Sequence, residues 1–298
     1  MGVFFIFLAS LLWALDTLIR YPLIFGGLSA TKLVFAEHLI LTLGLSPVLY
    51  KMARSLKEIS KKDLIHFGII GGLGSALATL AFTKAFSLLN PSLVILLQKF
   101  QPLIAILLAY KVLGEPVKKE FLGWAVLCLF GGVLISFNDL NRGIHLLMKG
   151  QNLLEGPAVL GYALTLTAVF GWGASTVFGK ELVNKGYKET EVMAGRFFAG
   201  LLFLIPALAG EDAPFIRQGA IWSKIFFMVL ISGFLGMGLY YQGLKRIPAR
   251  LCALAEMFFP FCAIAVNWIF LDATLAPLQL LGGLLLLIGS TVLQLKRY

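Results

Sequence analysis

Long apolar runs fill the chain, broken at short intervals by clusters of charge, proline and glycine. The runs lie at roughly 2–19, 31–50, 64–85, 91–110, 121–137, 157–179, 190–209, 222–243, 248–270 and 276–295. A helix rises 1.5 Å per residue and a bilayer core is about 30 Å thick, so each run is long enough to cross, some with tilt. None alternates apolar and polar residues over about ten positions, as a membrane barrel strand must. Without water in the hydrocarbon, backbone groups must then be satisfied inside a helix. The pattern predicts an all-α integral membrane protein with ten transmembrane helices.

Composition agrees. Of 298 residues, 59% are hydrophobic and 13% charged, with a mean hydropathy of +0.90. Soluble domains run at about 45–50% apolar and 25% charged, so a soluble fold is excluded. The net charge of +10 raises nucleic-acid binding as an option. The basic residues, however, sit between the apolar runs, where they orient a membrane chain instead. Loops on the side of the N-terminus hold 16 Lys and Arg; those on the other side hold 6, Arg20 and Lys32 among them. That split predicts cytoplasmic N- and C-termini in a prokaryotic plasma (inner) membrane. Cys128, Cys252 and Cys262 have no metal or disulfide spacing, and His38, His66 and His145 form no ligand pair. Neither a metal nor another cofactor is expected.

The two halves resemble each other at an offset of 158–159 residues. Trp13 matches Trp172, Pro47 matches Pro206, Pro102 matches Pro260, and the Gly131 region matches Gly289. The halves are 1–150 and 151–298, with five spans in each. An odd number of spans makes the second half cross in the opposite sense. Inverted five-helix repeats suit a carrier, because two similar halves can rock about one midplane site.

Residues 91–136, PSLVILLQKFQPLIAILLAYKVLGEPVKKEFLGWAVLCLFGGVLIS, contain a helix with a mid-span proline, the pair Gly114-Glu115 and a glycine-bearing final helix. This stretch resembles the end of an EamA domain. The second copy at 248–293 fits more loosely, with Leu271-Asp272 in place of Gly-Glu. The chain is identified as a member of the drug/metabolite transporter superfamily with two EamA domains. The resemblance implies a ten-helix carrier of small metabolites and specifies fold better than substrate.

Ionisable groups inside a membrane are costly, so each is a functional candidate. Trp13 and Trp172 both fall near the midplane, roughly 17 and 20 Å in from their own faces. Asp16, Glu37, His38, Gln98 and Lys99 fall in one outer layer, where Lys99 is expected to offset one acid. Arg196 and Glu256 form an inner layer and are expected to pair. Pro102 and Pro260 deprive the carbonyls of Gln98 and Glu256 of their helical partners, which predicts a kinked helix in each half. Tyr240 and Tyr241 are expected in an interfacial belt.

These residues give a secondary carrier working by alternating access. Trp13, Gln98, Trp172 and Glu256 would bind a small amphipathic metabolite, with an amino acid or amine as first choice. Asp16, Glu37, His38, Lys99, Arg196 and Glu256 would serve gating or coupling. Asp16, Glu37 and Glu256 are the candidates for moving protons. No Walker A motif supplies ATP drive. Ten helices suffice for a monomer, and a homodimer is equally open. An intramembrane lipid-modifying enzyme would leave the paired architecture without a purpose. A non-transporting subunit would not need the buried charges. A channel would need a continuous polar stripe, which no span carries.

Overall fold

The computed structural model describes residues 1–54, 59–114, 120–135, 157–211, 218–256, 258–272 and 274–295, with the single positions 137, 138, 141 and 216. Glu115 and the expected boundary between the halves at 150–151 lie outside the described residues. Every regular element among the described residues is a helix.

In the first half these are α1 (Gly2–Phe25), α2 (Ala30–Gly44), α3 (Ser46–Arg54), α4 (Lys61–Ala85), α5 (Pro91–Leu113) and α6 (Phe121–Ile135). In the second half they are α7 (Pro157–Asn184), α8 (Glu189–Ala209), α9 (Gly219–Arg246), α10 (Ala249–Glu256), α11 (Phe258–Leu271) and α12 (Pro277–Leu295). Six of them, α1, α4, α5, α7, α8 and α9, are long and apolar enough to cross a membrane. The pair α2–α3 makes a seventh span if counted as one. α6, α11 and α12 carry shorter apolar stretches. Outward faces are apolar, with Leu122 of α6 69% and Ile269 of α11 72% exposed. Such a belt suits lipid and would be a liability in water.

The run expected at 31–50 is not one straight helix. α2 and α3 meet at 62°. Pro47 lacks an N–H and its ring crowds the carbonyl four residues back, so the helix turns at the Gly44–Leu45 joint. α1 in turn runs past its expected end at residue 19 and carries Arg20 inside the helix. The count of outer-loop charges therefore included one residue that is buried.

α4 and α9 share an unusual feature. Each contains a π-helical segment, Ile69–Leu77 in α4 and Val229–Gly236 in α9. Runs of i→i+5 bonding are rare and concentrate at functional sites. The two segments occupy equivalent places in the halves, and each is inserted between helices of the opposite half. α4 packs on α7 and α8, while α9 packs on α1 and α2. The fit is tight: a Cβ at Gly74 would fall 2.5 Å from the Ser175 side chain.

α6 and α12 form a second close pair. A Cβ at Gly131 would lie 2.6 Å from the Gly282 carbonyl, and one at Gly282 would lie 2.5 Å from the Gly131 carbonyl. Small residues let helices approach where lipid supplies no hydrophobic drive between them. Gly131→Leu and Gly282→Leu are each expected to destabilise the protein by about 1–3 kcal/mol. The check is the thermal midpoint of the purified protein in detergent, with Gly123→Leu as the control; a Cβ at Gly123 meets no atom within 4 Å.

Candidate functional site

One cavity runs through the contact between the halves. It encloses about 1110 Å³ of space, its mouth included. Of the residues singled out in the sequence, Trp13, Asp16, Glu37, His38, Gln98, Trp172, Arg196 and Glu256 line it, together with Pro102 and Pro260. Lys99 is buried but is not part of this lining.

The role expected of Lys99 falls to Arg20. Its Nε donates to Asp16 Oδ2 at 2.6 Å, and its Nη2 donates to Glu37 Oε2 at 3.0 Å and to Asp16 Oδ1 at 3.2 Å. Nη1 reaches Thr83 Oγ1 at 3.3 Å. Ser232 Oγ, from the π segment of α9, donates to Asp16 Oδ1 at 3.0 Å. All three charged groups are under a tenth exposed. The network thus joins α1, α2, α4 and α9. The spacing Asp16-x-x-x-Arg20, one turn apart on a helix, was the legible signal for it.

His38 bonds through Nδ1 to the Val34 carbonyl at 2.8 Å and through Nε2 to Ser75 Oγ at 2.9 Å. A carbonyl only accepts, so Nδ1 carries the hydrogen. In the neutral ring Nε2 then accepts from the serine.

The expected pair of Arg196 with Glu256 is not formed. Arg196 donates through Nη2 to the Gly74 carbonyl at 3.0 Å and through Nη1 to Tyr241 Oη at 3.3 Å. Glu256 Oε2 accepts from Gln101 Nε2 at 2.8 Å, and its Oε1 accepts from Cys252 Sγ at 3.5 Å. Arg196 belongs to α8 and finds its acceptor in the loosened π backbone of α4. The separation into outer and inner layers also softens. His38 bonds Ser75 and Arg196 bonds Gly74, so both layers meet at adjacent residues.

Tyr240 and Tyr241 are buried, not interfacial. The Tyr240 ring packs on Trp13 at 5.5 Å between centroids, and its hydroxyl donates to Thr176 Oγ1 at 3.1 Å. Phe82 packs edge-on against Trp172 at 4.9 Å. Phe82 and Tyr240 are 158 residues apart, so each tryptophan meets the repeat-equivalent aromatic of the other half. The backbone repeats this exchange. Trp13 Nε1 donates to the Ser232 carbonyl at 3.1 Å, as Arg196 donates to that of Gly74. Gly74 and Ser232 are again 158 apart.

α5 breaks within the cavity. Its α-helical turns stop at Leu97, Gln98–Phe100 form a 3₁₀ turn, and α-helix resumes at Gln101. Gln98, four residues before Pro102, opens that 3₁₀ turn. Three polar atoms of the lining have no hydrogen-bond partner: Gln98 Oε1, Ser175 Oγ and Arg196 Nε. Buried groups left unpaired cost about 1–3 kcal/mol each, so these atoms are available to a solute or to water. Away from it, Ser29 Oγ donates to Glu211 beyond the end of α8 at 2.5 Å, and this bond, helped by Lys32, holds the Glu211 carboxyl below its usual range.

Two helical halves around a polar, aromatic-lined cavity in an apolar body define a multi-pass membrane protein with room for a small solute. The EamA-like transporter family matches residues 1–137 and 159–295, and the chain belongs to that family. The riboflavin transporter ImpX of Fusobacterium nucleatum is 31% identical over 297 residues, covering 97% of this chain and 95% of its own. A probable amino-acid metabolite efflux pump of Escherichia coli is 23% identical over 242 residues, or 76% of each chain. A solved structure titled only "Crystal structure of protein" shares the fold with a TM-score of 0.62 at 17% identity, over 98% of this chain and 96% of that one.

Removing the positive centre leaves two buried carboxylates uncompensated. Arg20→Met is expected to cost about 3–5 kcal/mol, seen as a lowered thermal midpoint. Adding Asp16→Asn and Glu37→Gln to that variant is expected to recover much of the loss, because the stranded charges then disappear.

Proposed function

We propose that the protein is a secondary carrier that moves a planar, amphipathic heteroaromatic metabolite of the flavin type across the membrane by alternating access. The scaffold would be ten membrane-crossing helices in two inverted five-helix repeats, with α10–α11 and α12 completing the second. Both termini would face the cytoplasm of a prokaryote. One observation carries the substrate: the cavity walls are two aromatic pairs, Trp13–Tyr240 and Trp172–Phe82, with uncommitted hydrogen-bonding atoms between them. Flat rings stack on such walls, and amide or hydroxyl groups complete the unpaired atoms. The whole-length likeness to a protein named as a riboflavin transporter supports the same class.

A zwitterionic aromatic amino acid is the second reading. Arg196 and Glu256 face the cavity without pairing to each other, so they offer a cationic and an anionic partner to one ligand. The efflux-pump relatives agree with it. A simple amine would use Glu256 alone and leave Arg196 without a ligand partner, since Asp16 and Glu37 are already engaged by Arg20.

For coupling, Glu256 is the carboxylate to propose. Its hydrogen bonds come from neutral donors, Gln101 and Cys252. A proton there would neutralise a buried charge without dismantling an ion pair.

The test is uptake into proteoliposomes of labelled riboflavin beside labelled tryptophan and phenylalanine, with and without a pH gradient. Saturable riboflavin uptake is expected. Trp13→Ala and Trp172→Ala should each raise KM about tenfold, as loss of a stacking partner does. Saturable amino-acid uptake without riboflavin uptake would select the second reading. Glu256→Gln is expected to make the rate insensitive to the gradient; a rate that still follows the gradient would remove Glu256 from coupling.

A further inference from the structure

The cavity holds two glutamines one turn apart on the broken part of α5, and only one is in use. Gln101 spends its amide on Glu256 at 2.8 Å. Gln98 is 6% exposed, lines the cavity, and has an Oε1 with no partner. The carboxylates that line the cavity already hold protein donors, Glu256 taking Gln101 and Cys252. Asp16 takes Arg20 and Ser232, and Glu37 takes Arg20. A ligand N–H entering this region therefore meets one uncommitted carboxamide.

A primary carboxamide presents a donor and an acceptor side by side. That pair is complementary to a ring edge in which an N–H stands next to a carbonyl. The same two-point match lets Gln and Asn read a base edge, where a good pair is worth about 1–3 kcal/mol of discrimination. The 3₁₀ turn at Gln98–Phe100 places the glutamine at a break in the α-helix.

We propose that Gln98 is a specificity-determining residue that reads the imide edge of the substrate ring, its Oε1 accepting from the ring N–H and its Nε2 donating to the adjacent carbonyl. This rests on the flavin reading above. Gln98 would then select rings with an unsubstituted imide, while Trp13 and Trp172 would grip ring faces without regard to that edge. The repeat-equivalent of Gln98 is Glu256, which only accepts when ionised and cannot make the same two-point pair.

The experiment measures binding of riboflavin and of 3-methylriboflavin to the purified full-length protein, followed by quenching of flavin fluorescence. Methylation removes the one N–H and leaves the ring faces and side chain unchanged. On the wild-type protein the methyl analogue is expected to bind at least about tenfold more weakly. In Gln98→Ala, riboflavin is expected to fall to the level of the analogue, and the ratio of the two to collapse toward one. A purely structural role for Gln98 would weaken both flavins and keep the ratio. Equal binding of both by the wild type would overturn the role of Gln98 and leave the flavin carrier standing. No binding of either would overturn both. If Gln98→Ala does not fold, Gln98→Met, close in size and without the carboxamide, is read in the same way.

Discussion

Inside a bilayer no water waits to satisfy a stray charge, and this constraint orders the structure. Desolvating an ion still costs several kcal/mol after relaxation, so a buried cation and its anions must be held in good geometry. Arg20 meets that demand with three bonds to two carboxylates, and Ser232 fills a further lone pair on Asp16. These groups come from α1, α2 and α9, with Thr83 of α4 completing the set. Displacing any one of those helices would strand a charge. The network therefore fixes the first helix against the helix exchanged from the other half, which sets one wall of the cavity.

The same constraint explains the π segments. A regular helix keeps its carbonyls for its own N–H groups. A segment with i→i+5 bonding alters that ladder, and its carbonyls keep a second lone pair able to accept from outside. Gly74 and Ser232 do so at equivalent positions, one from Arg196 and one from Trp13. Each donor belongs to the opposite half. The two halves thus hold each other by hydrogen bonds between side chain and backbone, as well as by packing, and the cavity forms where those bonds cross. Widened helices at Gly71, Gly72 and Gly74 also let α7 and α8 come close enough to reach.

Much of this was legible in the chain. The apolar runs located the long helices among the described residues, although 31–50 and 248–270 each hold two. The repeat offset identified Trp13 with Trp172 and Pro102 with Pro260, all of which line the cavity. Depth along the membrane normal predicted which polar residues share a region, but not which way they point around the helix. That is why Lys99 was expected at the acids and Arg20 was placed in a loop, although one helical turn separates Arg20 from Asp16. Arg196 and Glu256 were paired on depth alone, and each has other partners. The π segments have no pattern in a single sequence. Their glycines read as ordinary packing residues, and only coordinates show which carbonyls they release. Tyr240 was hidden for a different reason: a tyrosine near a span end has a good interfacial explanation, and only its offset from Phe82 points inward.

Duplication built the site, and divergence between the copies gives it direction. Two identical halves would produce a cavity with twofold symmetry, suited to a ligand that looks the same from both sides. The lining departs from that symmetry at polar positions. Gln98 corresponds to Glu256, Glu37 to Arg196 and Asp16 to Ser175. The exchanges put the Asp16–Arg20–Glu37 network in the first half and an arginine with serine in the second. The aromatic walls keep their symmetry, because ring faces are gripped without regard to polarity. On the proposed function, a ligand between those walls would be held by the symmetric parts and turned by the asymmetric ones. An amphipathic solute with one polar edge would then have one low-energy orientation, decided by the groups the copies no longer share.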